Sequence, residues 1–353
     1  LSADPYLLAF GFIFTDIMVP FFMMAAAYAI KPVETYIQKG FKKKARKKLT
    51  SLPHLKVVAI TGSYGKTSTK FFLETFLRER YNVCVTPGSY NTPMGICKVI
   101  NNDLNASHQF LILEMGARYP GNILELCNIA APDVSIITNI GVAHLETFGS
   151  RETLAYEKAT LARELKQGGS LVLNGDDERV AALDSLRDDV KVVKAGENGV
   201  ITASNITYGE EGSEFDLTWK NPEGEAESSY RIKTGLLGNH NIENIVIAAA
   251  AASELGIRPQ TIAVAAKNLK PVKHRLELKK EGDIYIIDDA FNSNPTGAEN
   301  AVVILSDFKT GRKVIVTPGM IELGDLQEQA NRTFGEQIAK AGLDLVILVG
   351  KSQ

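Results

Sequence analysis

The stretch that most limits what this chain can fold into runs from Val57 to Lys70. An apolar, β-branched run ends at Ile60, a glycine-containing turn follows through Gly65, and Lys66-Thr67 opens a segment with apolar residues at Phe72, Leu73, Phe76 and Leu77. The order strand, loop, helix points to an α/β fold. Such a loop wraps a polyphosphate, because glycines let backbone N–H groups converge on oxygen while the helix N-terminus adds a positive dipole. Lys66 would reach the β- and γ-phosphates of a nucleotide, and Thr67 would offer its hydroxyl to Mg²⁺. The strict pattern wants glycine five positions before Gly65, where Ile60 stands; here the glycine is Gly62. The order of elements favours nucleotide binding over a strand-turn-helix with a chance Gly-Lys-Thr.

The chain's 353 residues suffice for two or more domains, and a formal charge of −2 leaves no nucleic-acid footprint. Cys84, Cys97 and Cys127 lack metal-ligand or disulfide spacing and read as buried thiols. From Tyr6 to Ile30 the chain is almost wholly apolar, interrupted mainly by Asp16 and Pro20, and long enough to cross a bilayer as a helix kinked at Pro20. Lys39, Lys42, Lys43, Lys44, Arg46, Lys47 and Lys48 follow, a basic linker that places the remainder on the cytoplasmic side of the cytoplasmic membrane. A signal peptide fits less well, since its charges precede the apolar core. The alternative is a surface or buried hairpin helix, with Asp16 as its motive. The chain begins at Leu1, so upstream sequence, including more membrane helices, is an open expectation.

Further short apolar runs deliver polar residues to their ends. Phe110 to Leu113 leads to Glu114, and Val134 to Thr138 leads to Asn139-Ile140-Gly141 and His144. In open α/β sheets ligands sit at the carboxyl ends of strands, where a carboxylate can hold Mg²⁺. Between them, Pro87 to Gly95 is a turn-rich loop suited to a substrate, or to a plain connection. A helix from Glu152 to Leu165 carries Lys158, which by default is an exposed lysine. Strands at Leu171–Leu173 and Lys191–Lys194 complete a mostly parallel sheet. Ile201 to Ile232 reads as antiparallel hairpins, and Asn241 and Asn244 precede an Ala-rich helix, where they would contact adenine or cap the helix. Past a boundary near Pro271, strands are expected at Ile284–Ile287, Lys313–Val316 and Leu343–Val349, with helices between. Three strands are few for one sheet, so this second α/β domain is expected to be truncated.

These motifs, in this order, resemble the Mur ligase superfamily of ATP-dependent amide-bond ligases, most closely the branch that joins D-alanyl-D-alanine to a UDP-N-acetylmuramoyl-tripeptide. The resemblance rests on Thr61-Gly62-Ser63-Tyr64-Gly65-Lys66-Thr67-Ser68, Glu114-Met115-Gly116-Ala117, Thr138-Asn139-Ile140-Gly141 with His144, Leu173-Asn174 with Asp176-Asp177, Gly238 with His240-Asn241 and Asn244, Arg275-Leu276, Asp288-Asp289 with Asn292 and Asn294-Pro295, and Gly319 to Gly324. That family carries its loop glycine where Gly62 stands. The implied architecture is a membrane anchor and basic linker (1–50), a central P-loop domain (51–270) and a truncated Rossmann-like C-terminal domain (271–353).

By resemblance, Thr61, Gly62, Ser63, Gly65, Lys66, Thr67 and Ser68 bind ATP, with Asn241 and Asn244 at adenine and Arg275 and Asp289 approaching from the C-terminal domain. Thr67, Glu114, His144 and Lys158 would hold Mg²⁺, Lys158 as a carbamate. Lys66, His144, Lys158 and Arg275 would be catalytic, and Asn91, Thr92, Asn292 and Asn294 would touch substrate. The implied reaction is acyl phosphate formation on a peptidoglycan precursor, small or lipid-linked, followed by attack of a dipeptide or amino-acid amine.

Three features depart from the family pattern. The apolar segment stands in place of the family's N-terminal domain, His274 stands where relatives often have Gly, and Phe291 where Tyr is common. Other ligases of the superfamily, extending folate with glutamate or building a storage polypeptide, remain alternatives, as does a non-catalytic membrane scaffold. Intact Lys66, Thr67, Glu114 and His144 argue against the scaffold. No Asn-Lys-x-Asp guanine motif and no Leu-Ser-Gly-Gly-Gln transporter signature is found.

Overall fold

The computed structural model of the chain describes residues 5–141, 145–209, 211–221, 224–290, 295–321 and 323–350. In chain order the helices and strands are α1 Pro5–Thr50, β1 Lys56–Thr61, α2 Lys66–Arg78, β2 Val83–Val85, α3 Pro93–Asn102, β3 Phe110–Glu114, α4 Asn122–Ile129, β4 Val134–Ile137, α5 Leu145–Phe148, α6 Arg151–Arg163, β5 Ser170–Asn174, α7 Glu178–Ala181, β6 Lys191–Ala195, β7 Ile201–Gly209, β8 Gly212–Lys220, β9 Ala226–Thr234, α8 Asn239–Glu254, α9 Pro259–Ala266, β10 Glu277–Glu281, β11 Ile284–Asp288, α10 Pro295–Asp307, β12 Val314–Thr317, α11 Gln327–Lys340 and β13 Leu345–Leu348.

Strands β1 to β6 form one parallel sheet in the order β2-β3-β1-β4-β5-β6. The chain leaves β1 for the far strand β2, returns through β3, and crosses to β4, so the switch point lies at the carboxyl end of β1. The strands are apolar throughout because both faces are covered, and side chains alternate between two cores. Val58, Ile60, Ile112, Ile136 and Val172 pack with α2, α8, α9 and the antiparallel β7-β8-β9 sheet. Val57, Ala59, Leu111, Leu113, Ile137, Leu171 and Leu173 pack with α3, α4 and α6. In α8 the run Ala248 to Ala252 is wholly buried, and its small side chains let α2 approach closely.

The expected basic linker is instead a helix. α1 runs unbroken to Thr50 through Pro20 and Pro32, and its basic end docks on α3 and α4. Ala45 is fully buried there, Lys42 Nζ pairs with Glu125 Oε1 at 2.5 Å, and Lys48 Nζ donates to Asn101 O at 3.0 Å. The spacing of these anchors makes the stretch part of the body. Its apolar part, by contrast, is long and apolar enough to cross a membrane by length and composition, and none of its described side chains is buried.

In the C-terminal region the expectation of three strands in one sheet is corrected. β11 pairs antiparallel with β10, and β12 pairs parallel with β13 in a separate sheet. The sequence Glu-Leu-Lys-Lys-Glu of β10 carries no apolar alternation, because its charged side chains lie on a partly exposed surface.

Candidate active site at the carboxyl edge of the sheet

The loop after β1 is shaped by what crowds it. Gly62 has φ +155°, and a side chain there would come within 2.0 Å of Thr138 Oγ1; Gly65, at φ +77°, faces Asn244 Oδ1 at 2.2 Å from an added Cβ. Only glycine fits both positions. The loop is then clamped by the end of β4. Tyr64 N donates to Asn139 Oδ1 at 2.8 Å, Thr138 Oγ1 and Asn139 Nδ2 donate to Tyr64 O, and Gly141 N donates to Ser63 Oγ at 3.0 Å. Thr61 Oγ1 ties the loop's start to Met115 O at 2.9 Å. Ser68 is buried in the first turn of α2 and lines a small cleft with Gly65 and Asn244.

Lys66 turns back over this loop and donates to Gly62 O at 2.7 Å and Ser63 O at 3.1 Å. Burial pulls its pKa down to about 8, opposed by the Glu114 charge. Thr67 Oγ1 donates to Glu114 Oε2 at 2.9 Å, and Asn91 Nδ2 donates to Glu114 Oε1 at 3.3 Å. Glu114 is almost fully buried at the end of β3, and the start of α2 and the loop before α3 converge on its carboxylate.

Lys158, expected as an exposed helical lysine, is buried on α6, and this corrects the default reading. Its pKa falls to about 7, first through burial and then through the neighbouring Lys66 charge. Among the described residues its Nζ has no hydrogen-bond partner. The amphipathic pattern of α6 is weak, which is why the sequence did not show this lysine facing inward.

Asn244 Oδ1 accepts from Thr69 Oγ1 at 3.1 Å and borders the cleft beside Tyr64 and Gly65. Asn241 does not reach that cleft, because its amide is committed to Leu237 O at 2.8 Å. Neither caps α8, whose cap is Gly238 without a side-chain bond. Thr92 caps α3 by accepting from Gly95 N, while Asn91 alone reaches Glu114. His144, Asn292 and Asn294 lie outside the described residues.

From the C-terminal region, Arg275 Nη2 donates to Thr67 Oγ1 at 3.5 Å. It is flanked by two non-glycine residues in the left-handed region, His274 at φ +62° and Leu276 at φ +44°. Each costs about 1–3 kcal/mol unless its surroundings hold it. They do. His274 Nδ1 bonds Asp288 Oδ2 at 2.8 Å, Leu276 N donates to Asp289 Oδ1 at 3.1 Å, and Leu276 is buried against Leu237 and Ile304. Burial also raises the Asp289 carboxyl to about 6. His274, Glu277 and Asp288 lie close enough to hold a cation, but Lys279 Nζ already sits 2.5 Å from Asp288 and 3.2 Å from Glu277.

Arg275 separates two spaces, the small cleft lined by Gly65, Ser68, Asn244 and Asp289, and a cavity of about 610 Å³ lined by Thr67, Phe71, Gly88, Ser89, Lys270 and Arg275. The arrangement offers amide donors and cations for phosphate oxygens, and hard oxygen ligands beside them.

Residues 60–252 match the Mur ligase middle domain, and residues 274–353 match the Mur ligase, glutamate ligase domain. The chain belongs to the Mur ligase family. It is 32% identical over 298 residues, 84% of this chain and 63% of the other, to the UDP-N-acetylmuramoyl-tripeptide--D-alanyl-D-alanine ligase of Bacillus subtilis. The MurF crystal structure from Acinetobacter baumannii superposes with a TM-score of 0.81 at 29% identity, covering 89% of this chain and 68% of that one. MurF ligase from Thermotoga maritima, in complex with ADP, gives 0.78 at 29% identity, covering 88% and 69%. The chain spans less than two thirds of the length of the curated relatives it matches first.

Within this Mur ligase fold the sequence reading gave no role to several buried or half-buried polar groups at the same edge. Lys70 Nζ pairs with Glu114 Oε2 at 3.2 Å and also bonds Gly88 O. Its spacing of four from Lys66 on one helix face was the available signal. Glu157 accepts from Gly121 N and Ile123 N at 2.8 and 2.7 Å, fixing the start of α4. His240 is held neutral by burial and the Arg275 charge, its pKa lowered to about 4. Glu243 is raised to about 7 by burial and by Asp176.

Proposed function

We propose that this chain is an ATP- and Mg²⁺-dependent amide-bond ligase that activates a carboxylate as an acyl phosphate and adds D-alanyl-D-alanine or a similar amine to a peptidoglycan precursor. One observation carries the reading. A glycine loop with Lys66, the buried Thr67–Glu114 oxygen pair and Arg275 from the C-terminal region converge at the sheet's switch point. The printed name of the Bacillus subtilis relative and the ADP of the Thermotoga maritima structure support it.

Loop N–H groups and Lys66 would cradle the β- and γ-phosphates, with Asn244 and Asp289 toward the nucleoside. Asn241 is a weaker adenine candidate than Asn244. The acyl substrate would lie in the larger cavity, beside the loop that carries Asn91 and Thr92. Its carboxylate takes the γ-phosphoryl group of ATP, the amine attacks the acyl carbon, and phosphate leaves as the amide forms. The protein's part is positioning and charge neutralisation. Closure of the C-terminal region on Arg275 would keep water from the acyl phosphate.

The Thr67 hydroxyl and Glu114 carboxylate, 2.9 Å apart, are hard oxygen donors that suit Mg²⁺. Bound Mg²⁺ would neutralise phosphate charge. Lys158 and His144 would complete its donors. A pKa of about 7 leaves much of Lys158 as free amine at neutral pH, able to add CO₂ and release a proton, giving a carboxylate-like carbamate.

In the same reading residues 1–50 anchor the chain in the cytoplasmic membrane, and residues 51–270 and 271–353 form the central and C-terminal ligase domains on the cytoplasmic side. The test is phosphate release by the purified chain with ATP, Mg²⁺, D-Ala-D-Ala and UDP-MurNAc-tripeptide, alongside a panel of other acyl acceptors and amines. Release no greater than that of Lys66→Ala protein with every pair would end the ligase reading.

A further inference from the structure

The direction in which α1 leaves the body decides which face of the molecule meets a membrane. Helix α4 starts near the carboxyl edge of the parallel sheet, after β3, and ends near its amino edge, before β4. Lys42 pairs with Glu125 in the first turn of α4, while Arg46, Leu49 and Thr50 share a cavity with Cys127, Asn128 and Ile129 at its end. α1 therefore runs in the same direction as α4. Its N-terminal half projects past the carboxyl edge, where Lys66, Thr67 and Glu114 sit.

Distances follow from helix geometry. Ile30, the end of the apolar run, lies twelve residues before Lys42, about 18 Å at roughly 1.5 Å per residue. From Phe12 to Ile30 the helix spans about 28 Å, close to the ~30 Å of a bilayer's hydrocarbon. Phe14, Ile17, Phe21, Met24 and Tyr28 on this stretch are all exposed. Docking at Lys42, Ala45 and Lys48 fixes the body against the helix, so a membrane-inserted α1 turns the sheet's carboxyl edge toward the bilayer.

We infer that the acyl substrate of this ligase is carried on a membrane lipid, its carboxylate-bearing headgroup reaching from the bilayer surface into the edge that α1 holds over it. This rests on the ligase and membrane-anchor readings above. A site held within a few tens of ångströms of the surface meets a lipid-borne headgroup at the high effective concentration of a confined layer.

Two measurements on the full chain in vesicles of phosphatidylcholine and phosphatidylglycerol test it separately. The first is geometric and needs no turnover. The native cysteines are all buried, and burial raises each thiol pKa, so a cysteine introduced at Tyr119, beyond β3, or at Ala106, before β3, takes a fluorophore selectively. Energy transfer to acceptor-labelled lipid should be stronger from Tyr119→Cys than from Ala106→Cys; the reverse order, or equality, overturns the orientation.

The second compares ATP-dependent phosphate release with muramoyl-tripeptide on a polyprenyl diphosphate or on UDP, with D-Ala-D-Ala as amine. The lipid-borne substrate should give a kcat/KM at least about tenfold higher. That advantage should vanish when Phe14, Ile17, Phe21, Met24 and Tyr28 are all changed to Gln. Equal or better turnover of the UDP substrate overturns the inference and leaves the ligase reading standing. Turnover of neither, with Tyr119→Cys still the closer label, means that the ligase reading has failed instead.

Discussion

Two lysine–carboxylate pairs, one in each half of the molecule, have opposite physics. Lys70 and Glu114 meet at 3.2 Å with side chains 0% and 2% exposed. Lys279 and Asp288 meet at 2.5 Å with side chains 32% and 15% exposed. Burial lowers the Lys70 pKa despite the Glu114 charge, whereas the hydrogen bond to Asp288 raises that of Lys279. In the first pair desolvation wins over attraction, and in the second attraction wins. The buried pair is thus held together by the fold around it, beside the loop proposed above to cradle phosphates. The exposed pair is an ordinary surface contact.

The sharpest way to break this comparison is to remove one partner from each pair. Lys70→Ala leaves Glu114 buried without its cation and should cost about 3–5 kcal/mol in urea unfolding. Lys70→Met with Glu114→Leu should recover much of that loss, since neither charge then remains buried. If Lys70→Ala unfolds at the wild-type urea concentration, the buried charge is compensated elsewhere and the contrast collapses.

Lys66 separates function from stability at the same edge. Among the described residues its ammonium bonds only loop carbonyls, and burial lowers its pKa to about 8. Lys66→Ala should therefore leave the unfolding midpoint unchanged or slightly raised, while ATP-dependent phosphate release falls by about 10²–10³-fold. A variant that loses stability in step with activity would give Lys66 the structural role argued here for Lys70.

How much of this was legible beforehand follows from the range over which each residue's fate is decided. Lys66, Thr67 and Gly62 were readable because a strand, a turn and a helix start fix them within a few positions. Glu114 was readable as the end of an apolar run. The burial of Lys70 and Lys158 was not, since both sit on helices whose inward faces are set by distant elements: the Gly88 loop covers Lys70, and β3 and the P-loop face Lys158. The strand at β10 escaped for the opposite reason, its charges facing solvent while only its pairing with β11 makes it a strand. The basic end of α1 read as a linker because Lys42, Ala45 and Lys48 become anchors only once α3 and α4 exist to receive them.

Lys158 extends the buried side of the comparison into a pH dependence. Its pKa falls from 10.5 unfolded to about 7 folded. Below pH 7 both states hold the proton and the folded state carries the full cost of a buried charge. Between about 7 and 10.5 the unfolded state binds a proton that the folded state has released, so stability rises with pH across that window. Subtracting the Lys158→Met curve from wild type in urea titrations at pH 7 to 10 should give a difference that climbs with pH. A flat difference would mean that the ammonium is satisfied where it lies, and the carbamate proposal would lose its free amine.

The smallest effect belongs to the exposed pair. Lys279 and His274 hold the Asp288 carboxyl down to about 2 from 3.8. The sign is opposite to that of Lys158: the stabilisation is complete above pH 3.8 and is lost as pH falls through 2. Solvent screens this pair, so Lys279→Ala should shift the urea midpoint at pH 7 far less than Lys70→Ala does. Adding 0.5 M salt should shrink the difference further, while leaving the Lys70→Ala penalty nearly unchanged, because buried charges are screened far less. Should Lys279→Ala cost as much as Lys70→Ala, the Asp288 cluster would have to be bracing the left-handed turn at His274 that aims Arg275. In that case His274→Gly, which adopts the same turn without strain, would restore stability to the Lys279→Ala protein.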